Sequence, residues 1–358
     1  MNKKERIKEL LQQIKLKEGE SFIYNEERIL AEYKNNEDNK SSIVIKVLSV
    51  LGGFFATLAF VGFLFITGFF RSEVAMLIMG ILFVVFAIWI NKVYDKLIID
   101  TSSIAAYIVG FSMIVASLAE MNVNANLIIG IVLLIALIAL FITQNYMLSF
   151  MSILAVNGSL LAFIVNNGSE NIVHLYIVLQ TILIVAVFLY ESKMITLSNK
   201  MSRLYNPLRI ALIVSFLTGL AATSKKQMLS LSDNYYWISA VVIALAILYL
   251  IPKILNKLAV TEMNLKITIY ILVLLLLGFT SGSPAILGGI LMLLLSFYTD
   301  YKIGLVIGIV ALIYFVSQYY YDLSFTLLTK SIMLFSSGIL FIILYLFTNK
   351  KFTTNEEI

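Results

Sequence analysis

Apolar stretches run almost without interruption from about Ile43 to Phe347, parted only by short polar breaks. A helix that crosses a bilayer needs about 20 apolar residues, because roughly 30 Å of hydrocarbon is covered at about 1.5 Å per residue. Inside lipid its backbone groups must be satisfied within the segment itself, which excludes open strands. The pattern predicts helices at Ile43 to Phe70, Val74 to Ile90, Thr101 to Ala119, Ala125 to Ile142, Met147 to Val165 and Ile172 to Tyr190. A polar stretch from Glu191 to Asn206 follows. Further helices are predicted at Leu208 to Ala222, Trp237 to Ile251, Ile267 to Thr280, Ala285 to Tyr298, Ile303 to Val316 and Phe325 to Phe347. The expected fold is all-α, a polytopic helical membrane bundle of about twelve transmembrane helices over residues 43–347, divisible at 43–190 and 208–347. The two segments flanking Ser281-Gly282-Ser283-Pro284 are short, and read either as two full spans or as a re-entrant pair.

Basic residues in the short loops orient the bundle, because Lys and Arg resist translocation whereas acidic residues matter little. One set of loops holds Lys92, Lys96, Lys193, Lys200, Arg203, Lys253, Lys257, Lys266 and Lys302; the opposite set offers Arg71, Lys225 and Lys226. The basic amino terminus and the tail pair Lys350 and Lys351 fall with the rich set, which places both termini in the cytoplasm. Residues 1–40 form a separate cytosolic segment, where Ile7, Leu10, Leu11 and Ile14 share one helical face and Gly19 interrupts it. That segment reads as a small helical hairpin, with docking to a protein partner or to anionic lipid as the functional alternatives. Residues 348–358 form a short cytosolic tail. No small-residue cleavage pattern marks a signal peptide at the start.

Composition agrees with the pattern: hydrophobic residues make up 60% of the chain, charged residues only 13%, and the mean hydropathy is +0.95. Lipid is the only solvent for such a surface. The net charge of +5 follows from loop orientation, so it does not point to nucleic acid. With one histidine, no cysteine and no nucleophile, phosphate-loop or metal motif, the sequence supports no enzyme class, no metal and no cofactor. His174, near the outer end of its span, reads as an interfacial structural histidine. Glu73 reads as a loop partner of Arg71, and Asp100, before Thr101, Ser102 and Ser103, as a helix cap.

Polar residues inside the spans are the candidate sites. Asn157, beside Gly158 and Ser159, and Gln180 fall near the middle of consecutive spans, so their amides are expected to meet as a hydrogen-bonded pair or to line a mid-bilayer site. In the last span Thr326, Thr329, Lys330, Met333 and Ser337 recur at three- and four-residue steps and share one face. Lys330 lies more than a turn inside the boundary; it either snorkels or pairs with Asp322, which otherwise caps the helix start with Ser324. A faint internal echo, Ile-x-Lys-x-x-x-Lys-Leu, recurs at 90–97 and 251–258, at equivalent places in the two halves.

The stretch from Ser283 through Tyr319-Tyr320-Tyr321-Asp322, Leu327-Leu328-Thr329-Lys330-Ser331 and Ser337-Gly338 resembles a bacterial membrane family, domain of unknown function 4401. The likeness is expected to sit in the carboxyl third, with only hydropathy in common elsewhere. It implies an inner-membrane protein without an assigned activity. Two functions remain in view: a membrane scaffold or envelope-assembly partner, and a transporter or lipid-handling carrier with a polar site near the bilayer midplane. A dry, mutually satisfied polar core favours the first, and a hydrated path to Asn157, Gln180 or Lys330 favours the second.

Overall fold

The computed structural model describes residues 72–93, 97–143, 145–224, 235–280 and 282–322, with isolated positions between 12 and 68 and between 328 and 342. Residues 1–40, the first and last predicted spans, Lys330, Ser337 and residues 348–358 thus lie, but for isolated positions, outside the described residues. In chain order the helices are α1 (Glu73–Val93), α2 (Leu97–Glu120), α3 (Ala125–Ile142), α4 (Tyr146–Asn166), α5 (Val173–Leu189), α6 (Glu191–Leu197), α7 (Asn199–Ser224), α8 (Tyr236–Lys257), α9 (Met263–Thr280), α10 (Pro284–Tyr298) and α11 (Lys302–Asp322). A single 3-10 turn, Glu170–Ile172, leads into α5. Among the described residues there is no strand, and nine helices are long and apolar enough to cross a membrane.

Local chemistry sets the helix ends. Asn124 caps α3 by accepting from the backbone N–H of Asn126, and Asn145 caps α4 by accepting from Met147. Helices α2, α8 and α10 all end with one left-handed residue, Asn122, Ala259 and Asp300. At each, the next N–H reaches back five residues: Val123 to Leu118, Val260 to Leu255 and Tyr301 to Ser296. The same closing turn thus satisfies the last carbonyls three times.

Three boundaries differ from the expected ones. Helix α7 starts at Asn199, not Leu208, and runs through Pro207, so the polar stretch after α5 is itself helical. Pro207 is buried in the fold, and the helix continues through a residue that removes one backbone bond. Helix α2 starts at Leu97, which puts Asp100 inside the first turn instead of at a cap. Helix α11 is described as far as Asp322, which therefore lies in a helix, and its carboxylate accepts from Gln318 Nε2 at 3.2 Å. Of the pair around the Gly282 break, α9 is of bilayer length and α10, with 15 residues, is shorter.

Two cores result. Helices α1 and α2 meet backbone to backbone: a Cβ built on Gly110 would lie 2.8 Å from the Gly80 carbonyl oxygen. Around that hairpin gather Val84, Ala87, Tyr107, Ile114 and Leu148. The larger core surrounds α10, which α7, α8 and α11 enclose through Phe216, Leu220, Ile243 and Phe315, around its own Leu291. Helix α9 stays outside, with Leu277 as its one buried residue. Helix α7 joins the cores by packing on α4 as well as on α5 and α10.

Candidate functional site

At mid-depth, three helices bring polar side chains together. Asn157 of α4 and Gln180 of α5 are 7% and 1% exposed, and Gln180 Nε2 donates to Asn157 Oδ1. Asn157 Nδ2 donates back to the Ile153 carbonyl at 2.9 Å, a local bond that holds the amide in place. The Tyr176 hydroxyl lies 3.5 Å from Asn157 Oδ1 and 3.4 Å from the Ser215 carbonyl oxygen of α7, so its one proton serves either acceptor. Gly219 makes room for it, since a Cβ there would stand 2.9 Å from the Tyr176 ring. Gln180 Oε1 and Ser215 Oγ are buried without a hydrogen-bond partner among the described residues. Tyr107 of α2 reaches the same helix α4 from the other side, its hydroxyl 2.8 Å from Ser152 Oγ.

His174 lies in the first turn of α5. It is fully buried between α5 and α8, with Nδ1 2.9 Å from Ser239 Oγ and its ring edge-on to Tyr236. The side of the helix on which His174 falls turns it inward. Asp100 is likewise more than a local residue. Its carboxylate accepts from Asn91 Nδ2 at 2.9 Å and Asn145 Nδ2 at 3.0 Å, and Asn91 also donates to Ser103 Oγ at 3.0 Å. One side chain therefore ties the end of α1 and the cap of α4 to the start of α2. Glu73 opens α1, and its carbonyl accepts from Ser117 Oγ at 2.9 Å; Arg71 lies outside the described residues.

The antiparallel helix order gathers Lys92, Lys193, Lys200, Arg203, Lys253, Lys257 and Lys302 at one end of the bundle. There the structure assembles a second constellation that no sequence motif announced. Arg209 of α7 has a side chain only 11% exposed, with its guanidinium 3.7 Å from the centre of the Tyr301 ring, 5.0 Å from Tyr205 and 5.9 Å from Phe188. Its polar contacts are Asn206 Oδ1 at 3.1 Å, Tyr205 Oη at 3.4 Å and, farther off, Glu191 Oε1 at 3.6 Å. Its Nε is buried with no hydrogen-bond partner among the described residues. Aromatic stacking therefore holds the cation more firmly than any anion does.

Glu191 also lines a cavity of about 570 Å³ with Lys253, Asn256, Lys257, Tyr298 and Asp300. Lys257 is fully engaged there: its Nζ donates to the carbonyls of Phe297 and Tyr298 at 3.2 and 2.9 Å and to Asp300 Oδ2 at 2.6 Å. The ammonium thus answers the negative end of α10. Two further cavities, of about 410 and 620 Å³, are open, mainly apolar clefts lined by residues of α1 to α4. Neither Asn157 nor Gln180 lines any of the three. Among the described residues no three His, Asp or Glu side chains converge as metal ligands.

Bilayer-length helices, apolar outer faces such as those of Leu274, Phe279 and Val310, and polar groups drawn inward define a polytopic α-helical membrane protein. Within that class the chain belongs to the family described as Domain of unknown function (DUF4401), whose model matches residues 43–351. The likeness therefore runs through almost the whole helical region and is not confined to the carboxyl third. No curated protein and no solved structure matches the chain.

Proposed function

We propose that this chain is a non-enzymatic scaffold of the bacterial inner membrane, an envelope-assembly partner with both termini in the cytoplasm and about twelve crossing helices. The observation that carries this reading is the Asn157–Gln180 junction. The two amides are buried and bonded to each other, and the three cavities described above are lined by other residues. A carrier keeps such groups open to water or substrate in at least one state, whereas a scaffold uses them to fix helix register. The basic end supports the orientation, since Lys and Arg are retained on the cytoplasmic side. Residues 1–40 are the segment through which a protein partner would be recruited.

The second reading, a transporter or lipid-handling carrier with its polar site at mid-depth, draws on one observation: Gln180 Oε1 and Ser215 Oγ are left without partners at that same junction. Aqueous thiol labelling in intact cells separates the two, and the chain has no cysteine of its own to interfere. For a scaffold, Asn157→Cys, Gln180→Cys and Lys330→Cys stay protected while Lys225→Cys, the outer control, is labelled. Labelling at several of these depths overturns the scaffold and makes transport the function.

A further inference from the structure

Helices α1 and α3 both border α2 but barely touch each other, and the cleft of about 410 Å³ lies between them. Its floor is Ile114 of α2, and its walls are chiefly Ile81, Ile88 and Trp89 of α1 and Ile135 and Ile138 of α3. Apart from Trp89 and Lys92 the lining is all isoleucine and valine, side chains stiff at χ1, so the wall is firm and offers no polar partner along its length. Val85, Trp89, Ile138 and Ile142, also on the wall, are about half exposed. They stand on helices long and apolar enough to cross a membrane, so the cleft is reached from the hydrocarbon.

Depth specifies the occupant. From Ile81 to Lys92 the helix rises roughly 16 Å at about 1.5 Å per residue, half of the roughly 30 Å of hydrocarbon. Lys92 lies in the last turn of α1 and Ile142 ends α3, so the cleft runs from the basic end to mid-depth and stops there. That is the reach of one acyl chain of the leaflet at the basic end. Trp89 brings to the mouth the amphipathic ring that membranes place at headgroup level, and Lys92 completes it with an ammonium that reaches water. The predicted span before α1 meets a different face. Phe60, one of its isolated described positions, stands edge-on to Phe83 with ring centres 5.6 Å apart. Phe83 is two residues from both Ile81 and Val85, and therefore on the side of α1 away from the cleft.

We infer that this cleft holds one acyl chain of a phospholipid from the leaflet at the basic end, seated lengthwise between α1 and α3 with Trp89 beside its ester end. Lipid tails are as apolar as the cleft, so expulsion of water does not drive the exchange; close packing against a firm wall does. The cleft lies on a different seam from the amide junction, and the inference stands independently of the scaffold reading.

The chain has two tryptophans, Trp89 on the cleft and Trp237 at the start of α8, 57% and 63% exposed, so one reports the site and the other serves as its control. The full-length variants Trp237→Phe and Trp89→Phe are purified in a maltoside detergent and titrated with phosphatidylcholine brominated on its acyl chains, whose bromines quench tryptophan on contact. Trp89 is half quenched at a brominated-lipid fraction about tenfold below that which half quenches Trp237. Bromines placed near the ester quench Trp89 more than bromines placed near the chain end. In the Trp237→Phe background, Ile138→Phe and Val85→Phe, which fill the cleft from its two walls, each abolish the preference. Val310→Phe, on an exposed position of α11 away from the cleft, leaves it intact. Equal midpoints for the two tryptophans, no quenching of Trp89, stronger quenching from the chain end, an unchanged preference in either filled variant, or its loss in Val310→Phe each overturns the inference; absence of quenching would assign the cleft to a protein segment.

Discussion

The mid-depth amide junction and the arginine junction at the basic end are both buried and both polar, yet they are held together in different ways. At mid-depth the groups are neutral, come from α4, α5 and α7, and bond to one another. At the basic end a full charge is held chiefly by aromatic faces, and its nearest carboxylate stands off at 3.6 Å. Depth accounts for the contrast. An ammonium or guanidinium at the bilayer centre costs about 3 kcal/mol on insertion scales, whereas near the interface that cost fades and charge is free to serve recognition. The first junction joins helices through mutual hydrogen bonds, the second through rings stacked around one guanidinium.

The sharpest way to break this contrast is at the amides. Gln180→Leu should lower unfolding stability in detergent by about 1–3 kcal/mol, because Asn157 Oδ1 loses its main donor while staying buried. The double variant Asn157→Leu with Gln180→Leu should recover much of that loss, since no polar group is then stranded. Additive losses would mean that the amides act separately. At the basic end, Arg209→Gln should cost up to about 2 kcal/mol, mostly from lost stacking on Tyr301; a cost equal to that of Glu191→Gln would assign the stability to the ion pair instead. Lys257→Gln should cost under about 1 kcal/mol, because Asp300 is 82% exposed and the pair is screened. Raising sodium chloride from about 0.1 to about 1 M should erase most of that small difference and leave the Gln180→Leu deficit unchanged, as read from melting midpoints.

The amide junction was legible in the sequence for a simple reason. Consecutive helices joined by a short turn run antiparallel, so residues counted to the same depth become neighbours, and Asn157 and Gln180 were counted to the same depth. Tyr176 and Ser215 were not, because an aromatic and a serine in apolar runs carry no signal until α7 is known to pack on both α4 and α5. Arg209 was hidden by its neighbours. Following Asn206-Pro207, it reads as the edge of a polar loop, and only the helix that persists through Pro207 carries it inward. Its ring partners Phe188 and Tyr301 lie far away in sequence, where no spacing rule reaches. Asp100 was misread because a local explanation sufficed; the signal that could have corrected it was Asn91, an amide in the last turn of the preceding span. The family match supports the reading of class and leaves these contacts to the structure.

Helix α10 covers about 22 Å at 15 residues, and Lys257 pins its carboxyl end at the basic side. Against roughly 30 Å of hydrocarbon, the whole shortfall of about 8 Å then falls at the other end, near Ser283. Because α7, α8 and α11 enclose α10, that shortfall lies inside the bundle, where protein and not lipid meets its amino end. A change of bilayer thickness therefore acts on the longer helices around α10 and reaches its Ser283 end only through them.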